Sequence, residues 1–274
     1  MKKNFSFFLS LLFVFFLAAY LAAKTQVSRY RMELLKKGGI HATAPQLPPQ
    51  VIYALAGEFR GLCADYLLME AAAFIGADTD ATPEDWEAVA LLFKQSMALD
   101  PHFKQTYHLL QTVLPWRAQK YDLTIELLEQ AKNGRPWDWI PGFFIGFDYF
   151  YFLKDNLKAS ESLMEASRVP NASPFLATLA SRLAQKAGRT YNALIFLKAL
   201  YEKTDDKSTK ELLETRIRAL AGVLILENGI EHFTSRFGRP PESLEELVAK
   251  GVLQELPRNP YKKPYLYKDG QIDF

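Results

Sequence analysis

Cysteine is almost absent from this chain of 274 residues, which contains Cys63 and no other. A single cysteine excludes an intrachain disulfide and any metal site built from several thiolates. A surplus of one charge is also missing, because 33 Lys and Arg residues stand against 31 Asp and Glu residues. Seven of the basic residues lie within 1–37, so the remainder of the chain is mildly acidic. It lacks the basic surface that nucleic acid requires, and we expect no nucleic-acid partner.

Motifs of catalysis and cofactor binding are missing as well. The four histidines do not have the spacing of metal ligands, and no Ser or Cys stands in a nucleophile motif. Asp78, Asp80 and Asp85 lack the central Gly of a calcium loop. We therefore predict a protein that is not an enzyme and that holds neither metal nor cofactor. A remote alternative, a cell-wall enzyme on a helical solenoid, would need a catalytic acid, for which Glu58 and Glu70 are the candidates.

The N-terminus has the pattern of an export signal. Lys2 and Lys3 precede the uncharged, mostly apolar run of residues 5–23, which is just long enough to span a bilayer as a helix. The run is long for a cleaved signal peptide, so we favour a retained anchor. Basic residues just after the run oppose export of the body, whereas the very short N-terminal tail favours it. We predict one inner-membrane span with the body in the periplasm, with export after cleavage as the alternative.

Proline, glycine and helix-capping residues divide the chain into segments. We predict a signal anchor or signal peptide at 1–23, a juxtamembrane segment and linker at 24–50, a helical-repeat domain at 51–227 and a small C-terminal module at 228–274. The helical domain opens with a long apolar helix over 51–76. Capping patterns predict further helix starts. These patterns stand at Thr82-Pro83, at Ser173-Pro174 and in the stretches 208–211 and 243–246.

An internal repeat is visible in the prolines that end helices. Pro101, Pro136 and Pro170 follow one another at intervals of 35 and 34 residues. Before each lies a small or β-branched residue, a bulky apolar residue four positions later and a small residue three further on. Thr124 and Leu128 begin this pattern in the second copy. Such spacing puts the residues on one helix face, where the small ones allow a neighbouring helix to come close.

With this period the chain resembles the tetratricopeptide-repeat family, whose repeat has about 34 residues and two antiparallel helices. The sequence A-L-D-P at 98–101 looks like the usual end of such a repeat, and Gly146 and Tyr149 match the small and aromatic positions of a first helix. The resemblance covers roughly residues 86–205. It implies an all-α antiparallel helical solenoid of three to four repeats, which would bind segments of other proteins in a concave groove.

The stretch 137–152 is the most aromatic part of the chain, with nine aromatic residues out of sixteen. Asp138, Asp148 and a proline between them argue against a second membrane span. We predict the first helix of a central repeat, with most rings in the core between neighbouring repeats. Other rings would line the groove, because Tyr and Trp suit surfaces that are both apolar and polar. The candidates for partner binding are Trp137, Trp139, Tyr149 and Tyr151.

The C-terminal module has a resemblance of its own. Its order F-G-x-P-P-x-S-L-x-x-L-V, L-P-x-N-P-Y and Y-x-Y-x-D-G is similar to the C-terminal part of type II secretion major pseudopilins. We expect a short helix and a hairpin that cap the helical stack or serve as a docking tag. The hypothesis is a membrane-anchored scaffold or assembly factor of a bacterial envelope complex, with protein partners in a pilus, secretion or other envelope system. The alternative is a pilin-like subunit.

Overall fold

The computed structural model describes residues 2–36, 42–45, 47–77 and 81–274, and the side chains of all of these except 2–11, 30–36 and 49. The chain forms two compact units, Met1–Asp100 and Pro101–Phe274. It is mostly helical, with one two-stranded sheet near its C-terminus. Among the described residues no helix is both long and apolar enough to cross a membrane. The predicted span 5–23 includes residues 5–11, whose side chains the structure does not describe.

The first unit is built from helices. These are α1 (Lys2–Lys36), α2 (Pro49–Ala56), α3 (Arg60–Ile75) and α4 (Pro83–Leu99), with a 3₁₀ turn at Gly57–Phe59. The prediction of one continuous helix over 51–76 is wrong, because the chain turns at Gly57 with a φ of +49°, a conformation that glycine adopts without steric cost. The predicted helix start at Thr82 is confirmed. Its hydroxyl accepts the Asp85 N–H at 3.3 Å, and the Asp85 carboxylate accepts the Thr82 N–H at 2.9 Å.

Helix α4 packs against both α2 and α3 in the first unit. The buried Ser96 Oγ donates to the carbonyl of Ala64 in α3 at 3.0 Å. The fully buried Gln95 donates from its amide to the carbonyls of Pro45 and Leu47, at 2.7 and 3.1 Å. These bonds satisfy the amide nitrogen of the buried Gln95 side chain, and they hold the described part of the predicted linker on α4.

The second unit contains seven helices in sequence and a small terminal module. The elements are α5 (Lys104–Val113), α6 (Tyr121–Gly134), α7 (Ile140–Tyr151), α8 (Asn156–Ala166), α9 (Pro174–Lys186), α10 (Thr190–Lys203), α11 (Lys207–Phe237), α12 (Leu244–Ala249), β1 (Leu266–Lys268) and β2 (Gln271–Asp273). Each helix from α5 to α11 packs on the next. The predicted start at Ser173 is confirmed. The one at 208–211 is wrong, because Asp206 caps α11 instead by accepting the Thr209 N–H at 2.7 Å.

The C-terminal module packs on α11. Residues of α12 and of the predicted hairpin, which is confirmed as β1 and β2, form one buried cluster with α11 side chains such as Val223 and Phe233. The Tyr265 hydroxyl donates to the backbone carbonyl of Ala219 at 2.9 Å. It reaches this carbonyl across Gly222, where an added Cβ would lie 2.1 Å from the hydroxyl oxygen. The glycine is therefore needed for the module to lie against the helix.

Replacing Gly222 with Val should separate the module from α11. The added atoms would displace the buried Tyr265 ring, and overpacking of this kind costs about 2 kcal/mol. The measurement is the free energy of unfolding in urea, together with the rate at which protease releases the module. Gly229→Ala on the same helix is the control, because the nearest atom to an added Cβ there is Leu253 Cδ1 at 3.3 Å. Equal effects of the two substitutions would contradict the prediction.

Candidate protein-binding surfaces

The aromatic stretch folds into α7, with Pro141 in its first turn. The helix turns its glycines towards α8. A Cβ at Gly146 would lie 2.6 Å from Leu163 Cγ, and one at Gly142 would lie 3.1 Å from Ala166 Cβ. Since only glycine permits this approach at Gly146, the large rings occupy the other faces of α7.

Asp138 lies buried just before α7 and is fully bonded. Its Oδ2 accepts from the Tyr107 hydroxyl at 2.6 Å and from Arg135 Nε at 3.0 Å, and its Oδ1 accepts from the Ile140 N–H at 3.2 Å. Burial alone would raise the pKa of this carboxyl. The bonds from Tyr107, Ile140 and Arg135 outweigh burial and bring the pKa below its ordinary value. Asp138 therefore stays ionised and ties α5 to the start of α7.

Asp148, near the other end of α7, is fully buried and only partly bonded. Its Oδ1 accepts from Gln111 Nε2 at 2.6 Å, whereas its Oδ2 and Gln111 Oε1 have no hydrogen-bond partner. Burial raises the pKa of Asp148 to about 7, and the bond from Gln111 offsets part of this rise. The pKa of Asp138 is therefore below the ordinary value for an aspartate, and the pKa of Asp148 is above it.

An aromatic patch lies at the C-terminal end of α7. Its members are Trp116, Tyr121, Phe147, Tyr151 and Phe152. The ring of Trp116 lies 5.2 Å from that of Tyr151 and 4.9 Å from that of Phe152. Trp116 and Tyr151 are 50% and 44% exposed, and Lys154 Nζ lies 5.1 Å from the Tyr151 ring centroid. The patch is thus a partly exposed aromatic surface next to a cation.

The four residues predicted to bind a partner do not form one site. Tyr151 belongs to the aromatic patch. Trp137 lies at the other end of α7, where it is 59% exposed, stacks on His102 at 6.3 Å and lies 5.5 Å from the Arg135 guanidinium. Trp139 and Tyr149 are half-buried and pack against the core formed by α8 to α11. Sequence reasoning missed Trp116, although its place directly after Pro115 at a helix end indicated a loop residue.

A second surface, the apolar stripe, lies on the first unit. It consists of Leu55, Phe59, Leu62, Tyr66 and Met69, which are between 55% and 74% exposed. Leu62, Tyr66 and Met69 follow one another on α3 at intervals of four and three residues, which is the spacing of one helix face. Leu55 lies before them in α2, and Phe59 lies in the 3₁₀ turn. The opposite face of α3 is also apolar and is buried. A helix that is apolar on both sides belongs in an interior, so the stripe indicates a surface that a partner covers.

Acidic residues border the apolar stripe. Glu58 and Asp65 are exposed, and Glu70 is half-buried. The neighbouring cation, the Arg60 guanidinium, lies 4.5 Å from the centroid of the Tyr53 ring. Glu70 lines a shallow cavity of about 250 Å³, and Glu58 is not among its lining residues. This cavity therefore brings only one of the two acids considered for catalysis to its lining. Among the described residues, no group of three or more His, Cys, Asp or Glu is placed to hold a metal ion.

Two clefts of the second unit correspond to each other. The narrow cleft, of about 190 Å³, is lined from α6, α7, α8 and their connections. The wide cleft, of about 460 Å³, is lined from α9, α10, α11 and the connections that follow α8 and α10. Seven of the nine residues that line the narrow cleft have a counterpart 34 residues later among those that line the wide cleft. Pro136 and Pro170 are one such pair, so the interval is that of the prolines in the sequence.

Comparison with known proteins gives no relative: no family model, no curated protein and no solved structure matches this chain.

Proposed function

We propose that this chain is a non-enzymatic scaffold or assembly factor of a bacterial envelope complex, anchored through residues 5–23 with its body in the periplasm. The apolar stripe is the observation that carries the proposal. A partner that covers five large side chains, each more than half exposed, gains on the order of 1 kcal/mol per residue. The remainder of the body would be a tetratricopeptide-like stack, which the 34-residue correspondence between the two clefts supports.

The partner that fits the apolar stripe is an amphipathic helix with basic flanks. The spacing of Leu62, Tyr66 and Met69 along α3 suits a helix that packs alongside it. The exposed acids Glu58 and Asp65 on the border of the apolar stripe would pair with Lys or Arg on the flanks of that helix. Two copies of this chain would instead bring like charges together, which disfavours a symmetric dimer through the same face.

The double variant Leu62→Ser, Met69→Ser should lose its partner. Both side chains are exposed, so the substitutions should leave folding intact while removing the apolar contact. We would tag the full-length chain, crosslink it in native membranes and identify what is recovered. We expect one envelope protein with a basic amphipathic helix, recovered at least about tenfold less with the variant, which corresponds to 1.4 kcal/mol.

Phe175→Ser, Tyr191→Ser is the matched control, because these residues are equally exposed but lie in the second unit. It should recover the partner as the wild type does. Equal recovery with both double variants would refute the role of the apolar stripe. The same experiment reports the mature N-terminus: an intact run 5–23 supports the anchor. A trimmed chain recovered mainly with itself would favour the pilin-like alternative.

A further inference from the structure

The wide cleft differs from the narrow cleft in the side chains that close it. In the narrow cleft, Trp139 forms part of the wall, and Lys132 Nζ donates to Glu165 Oε2 at 3.0 Å. The counterpart of Trp139 in the wide cleft is Ser173, and that of Glu165 is Ala199. An aromatic ring and a carboxylate are thus both replaced by small side chains, and the enclosed volume rises from about 190 to about 460 Å³.

The charge of the cleft changes together with its size. The narrow cleft has two acids in its lining, Asp138 and Glu165, and one cation. In the wide cleft the counterpart of Asp138 is Ala172, and the counterpart of Val169 is Lys203. All residues that line the wide cleft belong to the described part of the chain, and they include two cations and no carboxylate. The wide cleft is therefore positive where the narrow one is acidic.

The cations of the wide cleft are placed over apolar walls. The Arg168 guanidinium lies 5.6 Å from the centroid of the Phe196 ring. Phe196, Leu200 and Pro170 supply most of the large apolar lining, and Lys203 lies one turn after Ala199 on the same helix. A volume of about 460 Å³ is within the range of sites that enclose small groups. An aromatic side chain can lie on these walls while a carboxylate beside it pairs with Arg168 or Lys203.

We propose that the wide cleft binds a segment of a partner protein in which an aromatic residue stands next to Asp or Glu. Such a segment restores the ring and the carboxylate that Trp139 and Glu165 supply in the narrow cleft. This site lies in the second unit and is distinct from the apolar stripe, whose partner is a basic helix. The two sites therefore select partner segments of opposite charge.

The test selects peptides without assuming a partner. A library of random heptapeptides is displayed and selected on the full-length chain, after depletion on the Ala199→Glu variant, in which Glu occupies the position that corresponds to Glu165. We expect enrichment of peptides with Trp, Tyr or Phe beside Asp or Glu. A labelled peptide with the central pair Glu-Trp should then bind about tenfold more tightly than one with Gln-Trp.

Two variants test whether the peptide binds in the wide cleft. Ala199→Glu should weaken the Glu-Trp peptide about tenfold, whereas Lys198→Gln should leave its affinity unchanged. The control makes the same change of net charge on the neighbouring exposed residue, which does not line the cleft. Leu62→Ser, Met69→Ser should also keep the affinity, which separates this site from the apolar stripe. Selection of basic or purely aliphatic peptides, no enrichment at all, or equal losses with Ala199→Glu and Lys198→Gln would overturn the proposal.

Discussion

The Asp148→Asn variant should be more stable than the wild type at pH 8 and about as stable at pH 4. The wild-type carboxyl is fully buried, and its Oδ2 and Gln111 Oε1 have no partner. An ionised carboxylate can only accept hydrogen bonds, so it cannot satisfy the amide oxygen. Asn is similar in shape and can accept from Gln111 Nε2 while its own amide donates. The substitution removes a buried charge without leaving a cavity.

The direction of the pH effect follows from the pKa of Asp148. Burial raises it from 3.8 to about 7, so the folded state holds a proton in the range where the unfolded state has lost it. The wild type is therefore most stable, in respect of this group, below pH 3.8, and it loses stability as the pH rises to about 7. The shift corresponds to a loss of about 4 kcal/mol at most. Above pH 7 the difference between wild type and variant is constant.

Urea unfolding of both proteins at pH 4, 6 and 8 measures this difference. His108, whose pKa is lowered by burial and by Lys104, and Glu227, whose pKa is raised by burial, also titrate differently in the two states. Their contributions cancel when the variant is compared with the wild type at each pH. Glu214→Gln is the control, because this exposed acid only faces Arg218 at 3.4 Å and should change little. A variant that is less stable than the wild type at pH 8 would refute the assignment.

The helices were predictable because their signals are local. The start at Thr82, the start at Ser173 and the terminal hairpin follow from residues within one turn of each other, and the structure has them where the sequence indicates. The long helix over 51–76 failed at Gly57, since a single glycine permits a turn but does not require one. Asp206 was missed as the cap of α11 because several polar residues in a row all fit that role.

The surfaces were less predictable, because they depend on contacts between distant residues. The apolar stripe has a clear periodicity in the sequence, but only the packing of α4 shows which apolar face of α3 is covered. Trp139 and Tyr149 are as aromatic as Trp137 and Tyr151, yet they pack against the core because of where α8 and α9 lie. Asp138 and Asp148 likewise look alike in the sequence. Burial raises the pKa of Asp148, whereas at Asp138 the bonds from Tyr107, Ile140 and Arg135 outweigh burial. Tyr107, which donates to Asp138, lies more than thirty residues earlier.

Asp138→Asn should destabilise the chain by about 3 kcal/mol at neutral pH. The carboxylate accepts from Tyr107, Arg135 and Ile140, and an amide has a single oxygen with which to accept. The substitution also leaves the half-buried Arg135 without its charge partner. The pKa of Asp138 is lowered in the folded state, so its stabilisation is complete above pH 3.8 and disappears as the pH falls below that value.

Tyr107→Phe is the matched variant for this site, since it removes one hydrogen bond to Asp138 and keeps the ion pair with Arg135. It should cost about 1 kcal/mol at neutral pH, and this smaller cost should also diminish in acid, because the bond from Tyr107 contributes to the lowered pKa of Asp138. Equal losses in the two variants would show that the charge of Asp138 contributes nothing. The same series of unfolding measurements compares the Asn variants of Asp138 and Asp148. At neutral pH, Asn should destabilise the chain at 138 and stabilise it at 148, and both differences should diminish in acid as the wild-type carboxyls become protonated.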